Sequence, residues 1–235
     1  MRLALLLATL LVTGCATGTA KIRLIDPNAP APERWTSNYV KNHLQHQVVD
    51  PPDDAPLFRL IEFVDDRPRP DILGLKKNTY GMEMGNVALA DDGDLEEIWL
   101  QHLVSTFAAA GFRLELAHRG LIGEGASDAV PAALAEVELD SFWAEFMPGF
   151  WSVDARSDVQ FELALIDPET SAPIYSQRFG GQGEVSGGAI FAQDFEESLN
   201  QAHRAAMEQL LEALQTDIRG RFAAPEAPED GVRVD

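Results

Sequence analysis

The sequence predicts an α+β protein, a two-layer sandwich in which a mainly antiparallel sheet carries two amphipathic helices on one face. Two observations lead there. From Ala133 to Asp167 two long runs alternate apolar and polar residues, joined at Met147-Pro148-Gly149. Period-two alternation of that length marks half-buried antiparallel strands. Two other stretches, around Leu95–Phe107 and Phe195–Leu214, repeat their apolar residues at three- and four-residue steps, as helices with one packed stripe do. The 235 residues, 46% of them hydrophobic, leave room for one domain with a real core and for extensions at its ends.

The elements follow in order. Leu57–Val64 reads as the first strand, and it stops at Asp65-Asp66-Arg67-Pro68-Arg69-Pro70, where the prolines cannot donate to a ladder. Residues 71–85 read as a long loop carrying Gly74, Asn78, Tyr80, Gly81 and Gly85, and Asn86–Ala90 as a short strand. Asp91-Asp92-Gly93-Asp94 opens the first helix, with acids at the positive end of its dipole. Its stripe is Leu95, Ile98, Trp99, His102, Leu103, Thr106 and Phe107; Gly111 is a left-handed stop before a strand at Phe112–Leu116.

In the central pair, Ala135, Val137, Leu139 and Trp143 face inward on the first run, and Trp151, Val153, Val159, Phe161, Leu163 and Leu165 on the second. Trp143 then faces an inward partner such as Val153, which leaves Met147-Pro148-Gly149 as a three-residue loop with Gly149 at its positive-φ place. Ile174–Phe179 is a further strand, running into Gly180-Gly181-Gln182-Gly183 and Gly187-Gly188, and the last helix spans about Asp194–Asp217. The single domain is expected over residues 57–218, followed by a disordered acidic tail at 219–235.

A formal net charge of −20 argues against nucleic acid as a partner, and against electrostatic adhesion to anionic lipid. Residues 1–14 read as a signal peptide: Arg2 is followed by an apolar run, Leu3–Val12, too short to span a bilayer, where about 20 residues are needed. Val12-Thr13-Gly14-Cys15 resembles the lipobox of bacterial lipoprotein precursors, with small residues ahead of the chain's single cysteine. That resemblance implies cleavage before Cys15, a thioether-linked diacylglycerol on its sulfur and an acyl chain on its new amino group. Several acyl chains anchor stably where one is marginal, at about 0.8 kcal/mol per buried CH₂. Ala16 rather than Asp after the lipidated cysteine implies sorting to the outer membrane, periplasmic face. Residues 15–56, with Pro27, Pro30, Pro32 and Asp50-Pro51-Pro52-Asp53-Asp54, read as a tether, with a candidate edge strand at Lys21–Ile25 and docking points at Trp35 and Tyr39. At up to ~3.3 Å per extended residue it would hold the domain nanometres from the membrane.

The layout as a whole resembles the YajG-type family of bacterial envelope lipoproteins. Carrying the resemblance are the lipobox, a first strand ending in an Asp/Arg loop, the helix closed by Gly111-Phe112, the two long alternating strands, a glycine-bearing strand after them and an amphipathic last helix. It spans about Leu57–Leu214 and implies a fold and an envelope location. It brings no catalytic residues.

Candidate chemistry is sparse. His43 and His46 lie near Asp50, Asp53 and Asp54, a spacing that could begin a metal site but reads better as a solvated tether. His102 belongs to the helix stripe, and His118 and His203 have no nucleophile or acid nearby in sequence. Asp91, Asp92, Asp94, Glu96 and Glu97 lack the spaced ligands of a calcium loop. Gly181, Gly183 and Gly187 precede a helix, yet no strand follows it to complete a dinucleotide site, so a bending strand is the better reading. Ser186 stands alone, without a nucleophile-elbow motif. Glu136, Glu138, Asp140, Asp154, Asp158 and Glu162 share the open face of the sheet, where paired acids could cleave glycosides only within a cleft.

No metal, cofactor or enzymatic activity is expected. Partner contact is expected at two places. Phe142, Phe146 and Phe150 point away from the packed face near the hairpin tip, and Asp66, Arg67, Asn78 and Tyr80 form a polar patch at a sheet end. The expected function is a non-catalytic binding or scaffolding module of the cell envelope, meeting the membrane through Cys15 and an envelope protein, glycan or lipid through these patches. The alternatives are an auxiliary lipoprotein of a lipid transport system, with cargo between sheet and helices, and a peptidoglycan-acting hydrolase.

Overall fold

A computed structural model describes residues 18–30, 51–52, 54–78, 80–117, 129–148, 153–187 and 191–222. In chain order the strands are β1 (Ala20–Ile22), β2 (Leu57–Asp65), β3 (Gly74–Lys77), β4 (Glu83–Leu89), β5 (Arg113–Leu116), β6 (Ala133–Pro148), β7 (Val153–Ile166) and β8 (Pro173–Gly187). Helix α1 (Leu95–Ala109) lies between β4 and β5. Helix α2 (Ala192–Ala213) follows β8 and continues through a wide π-type turn at Leu214–Ile218 into a last short turn, α3 (Arg219–Phe222).

All eight strands join one sheet, and β6 is its hub. One edge of β6 carries β7, which carries β8, both antiparallel. The other edge is shared: β2 lies parallel along Ala133–Leu139, and β3 lies parallel at Ala144 and Glu145. Beyond them β5 runs parallel to β2, β4 antiparallel to β3, and β1 parallel to β4. The sheet is therefore mixed rather than mainly antiparallel. It is also curled rather than flat. Four strands each carry one extra residue, Ile61 in β2, Met84 in β4, Asp140 in β6 and Ile174 in β8, and such bulges bend a strand and increase its twist.

The extra residue at Asp140 corrects the expected alternation. Ala135, Val137 and Leu139 are buried, but beyond Asp140 the phase reverses: Phe142 and Ala144 go inward and Trp143 outward. A one-residue slip sends every later side chain to the other face. Trp143 consequently pairs with Asp158, not Val153, while Met147 and Pro148 stay in β6 opposite Asp154 and Val153. The expected three-residue loop is thus strand at its first two positions, and Gly149 lies outside the described residues. β7 keeps its phase throughout, with Ala155, Val159, Phe161, Leu163 and Leu165 buried.

Both helices cover one face of the curl. Asp94 caps α1 by accepting from the Glu96 backbone N–H at 2.9 Å, and Gly111 ends it at φ +79°, as its sequence predicts. Trp99 sits mid-core, edge-on to Phe161 at 4.7 Å and tilted against Phe63 at 5.9 Å. α2 lies almost on the backbone of β8. A Cβ on Gly181 would fall 2.0 Å from the Ala202 carbonyl oxygen, and one on Gly183 1.9 Å from that of Ser198. The glycines expected to bend the strand instead let a helix approach it.

The segment assigned to the tether is part of the fold over residues 18–30. Ala20, Ile22, Leu24, Ile25 and Ala29 are buried. Asn200 of α2 accepts from the Ile25 N–H at 2.9 Å and donates to the Arg23 carbonyl at 2.8 Å; Arg204 donates to the Ala29 carbonyl at 2.7 Å. The buried Asp26 accepts from Ser105 of α1 at 3.1 Å. The described chain thus begins at Gly18, and the segment after residue 30 leads from one strand of the sheet, β1, to another, β2, instead of leading up to the sheet. The long loop expected over 71–85 is likewise a hairpin, β3 to β4, turning at residues 78–82.

Candidate functional site

The residues expected to make contacts separate into different environments. Phe142 is 1% exposed and stands edge-on to His203 at 5.5 Å, so it is core and not a surface aromatic. Phe146, on the same side of β6, packs half-buried against the core. Both corrections follow from the phase reversal at Asp140. Cys15, Phe150, His43, His46 and His118 lie outside the described residues.

Asp66 is exposed but Arg67 is not. The Arg67 guanidinium, 6% exposed, donates from Nε and Nη2 to the two oxygens of Asp65, each at 2.7 Å. It also holds the carbonyls of Ile72 at 3.2 Å and Pro70 at 2.9 Å. Its donors are spent on carrying the chain from β2 to β3, as buried bidentate arginines do. Beside it lies a cleft of about 480 Å³, bounded by Lys21, Asp71, Leu89 and the first turn of α1.

Asn78 and Tyr80 occupy the tip of the β3–β4 hairpin. The Asn78 side chain accepts from the N–H groups of Tyr80 and Met82, both at 2.9 Å, an Asx-type turn. Gly81 takes φ +78° there. The turn leaves Tyr80 86% and Met82 58% exposed. Tyr80 is among the contact residues expected from the sequence, whereas Met82 was missed there, because residues 71–85 carry no strand alternation and Met82 reads as loop.

On the open face of β6, β7 and β8, Trp143 lines a shallow cleft of about 380 Å³ with Glu145, Arg156, Asp158, Gln182 and Glu184. Four acids of this face lie beside arginines. Arg156 lies 3.7 Å from Asp154 and 3.3 Å from Glu184, and Arg178 lies 3.3 Å from Asp140 and 3.8 Å from Glu162. Among the described residues, no three His, Cys, Asp or Glu side chains converge as a metal would need.

Under the sheet, His102 Nδ1 and His203 Nε2 share a hydrogen bond of 2.8 Å, with both rings buried. Burial holds His203 well below the usual imidazole range, and His102 and Arg204 push it the same way. It is a neutral core histidine. Burial also raises Glu196, against the Arg23 backbone N–H and charge that favour its carboxylate. The pairing of His102 with His203 was not visible in sequence, since the partners lie on separate helices.

No family model matches the chain, and no curated protein does. Among solved structures, it is similar to a Xanthomonas campestris protein of the DUF330 family, at 14% identity and TM-score 0.42, covering 74% of this chain and 94% of that one. It is similar to a Helicobacter pylori homologue of the neuraminyllactose-binding hemagglutinin, at 12% identity and TM-score 0.48, over 84% and 95% of the two chains. It is similar too to a Neisseria meningitidis lipoprotein, at 12% identity and TM-score 0.31, over 70% and 99%. These likenesses are loose, and the functional reading rests on this chain's own residues.

Proposed function

We propose that the protein is an outer-membrane lipoprotein, anchored through Cys15 on the periplasmic face, that serves the cell envelope as a non-catalytic binding or scaffolding module. The observation that carries this reading is the placement of Val12-Thr13-Gly14-Cys15 directly ahead of a strand built into the sheet, with Gly18 donating to the Met84 carbonyl at 3.3 Å. Cys15 has no partner cysteine in the chain and precedes the first described residue by only three positions, where an anchor is useful. The resemblance to YajG-type envelope lipoproteins supports the same location. The open-face cleft around Trp143 is the contact surface this reading favours, in place of the phenylalanines turned into the core.

Lipid cargo between sheet and helices finds no support, because Trp99, Phe161, Phe142 and Leu199 fill that layer. Mass spectrometry of the full chain made in a bacterial host, with density separation of its membranes, tests the proposal. A mature protein beginning at acylated Cys15 in the outer-membrane fraction is expected, and Cys15→Ser should leave unprocessed, unacylated chain. An unmodified Cys15 in a soluble periplasmic protein would overturn it.

A further inference from the structure

We infer that the tip of the β3–β4 hairpin is a second membrane contact, seating Tyr80 and Met82 in the lipid headgroup region beside the acylated Cys15. The inference rests on the lipid-anchor reading and goes beyond it, from where the chain is fastened to which surface lies on the bilayer.

Chain length carries the argument. Three peptide units separate Gly18 from Cys15, so their Cα atoms are at most about 11 Å apart. Gly18 is not free to drift from the hairpin. Its N–H donates to Met84, its carbonyl accepts from Lys76 Nζ at 3.2 Å, and Gly85 lies so close that a Cβ there would meet the Gly18 oxygen at 2.2 Å. Met82 is two residues from Met84, about 7 Å along a strand. The diacylglycerol on Cys15 must sit in the bilayer, so the hairpin tip is held at the level of the headgroups.

The tip's composition fits that level. Tyr80 and Met82 are the exposed large apolar residues of this hairpin, and tyrosine favours the membrane interface, where its ring is half desolvated and its hydroxyl stays wet. Phe191, 68% exposed at the start of α2, belongs to the same end of the molecule, because Gly187 at the end of β8 pairs with Val153 opposite the end of β6. β3 joins β6 two residues before its own end, which brings the hairpin level with that end of the sheet. Among the described residues, the other strongly exposed large apolar side chain, Val130, precedes β6 at the opposite end. With a formal charge of −20, the contact is apolar and not electrostatic, so it should survive salt that would release a basic patch.

Acylation of the only cysteine leaves the mature chain without a thiol, so Met82→Cys introduces a unique one. The acylated Met82→Cys protein carrying a polarity-sensitive thiol dye is placed in phosphatidylethanolamine–phosphatidylglycerol vesicles. Lipids with a nitroxide near the headgroup serve as quenchers. Glu169→Cys, exposed in the turn between β7 and β8, is the reference, and Tyr80→Cys is the second tip position. Several-fold stronger quenching at 82 and 80 than at 169, unchanged in high salt, is expected. Acylated protein whose tip dyes are as wet and unquenched as at 169 would overturn the tip contact while leaving the anchor reading standing. Tip dyes shielded from a water-soluble quencher but untouched by the lipid quenchers would place a second copy of the chain there and also overturn it. Protein without acyl mass would overturn both readings.

Discussion

Phe142 and Trp143 have exchanged the faces their alternation suggests, and one inserted residue, Asp140, does it. Up to Leu139 the phase is legible because Glu136 and Glu138 alternate with Ala135, Val137 and Leu139. From Ser141 to Phe146 apolar residues fall on both parities, so the sequence fits either phase and only the register with β7 decides. The histidine pair shows a different limit: the stripe position of His102 is legible, but its hydrogen bond to His203 joins helices far apart in sequence. The pair makes a prediction about pH. A histidine whose folded value lies below its unfolded value of about 6.5 binds fewer protons in the native state, so its stability contribution is intact above that value and is lost as pH falls below it. Each unit below costs up to about 1.4 kcal/mol until the folded value is reached. Glu196, raised by burial, works in the opposite sense at lower pH. His203 faces His102, Arg204, Trp99 and Phe142, and none of these supplies an acid to retain its proton. Thermal melts from about pH 8 to pH 5.5 should show a falling Tm for the wild type and a flatter profile for His203→Leu, which is less stable overall. An equally steep acid slope in the variant would remove His203 from the explanation.

At the scale of elements, local signals served well where an element's partners are its sequence neighbours. β6, β7, β8 and both long helices lie where period and capping place them, and Asp94 and Gly111 bound α1 as expected. β1 and β3 are short, and the strands they pair with in parallel, β4 and β6, come from far along the chain. Parallel pairing leaves no local signature, since the partner strand arrives through a crossover. The glycines of β8 were legible as special without their reason, which is the approach of α2. That reason is testable by contrast. Gly183→Ala puts a methyl into the Ser198 carbonyl and should destabilise by about 1–3 kcal/mol or more, as overpacked sites do. Gly180→Ala, whose Cβ would meet nothing nearer than 3.4 Å, should cost much less. Urea melts of the two variants that coincide would mean that the helix–strand spacing adjusts freely.

The whole molecule differs from its sequence reading chiefly in where it stands. Proline density over residues 15–56 suggested a domain on a long leash. Instead residues 18–30 are bound to β4 and to both helices by Met84, Asn200, Arg204 and Ser105, and only three residues precede them if Cys15 is the first residue of the mature protein. A β-sheet stitched this way transmits the anchor to the whole domain, so one end of the molecule, with Tyr80 and Met82, is expected to rest on the bilayer. The open face around Trp143 then stands upright from the membrane, available to an envelope partner. Neutron reflectometry of the acylated full-length protein on a supported bilayer measures this height directly. The account predicts protein density that begins at the headgroups, within about 11 Å of the lipid-linked residue. A hydrated gap of several nanometres between headgroups and domain would contradict it.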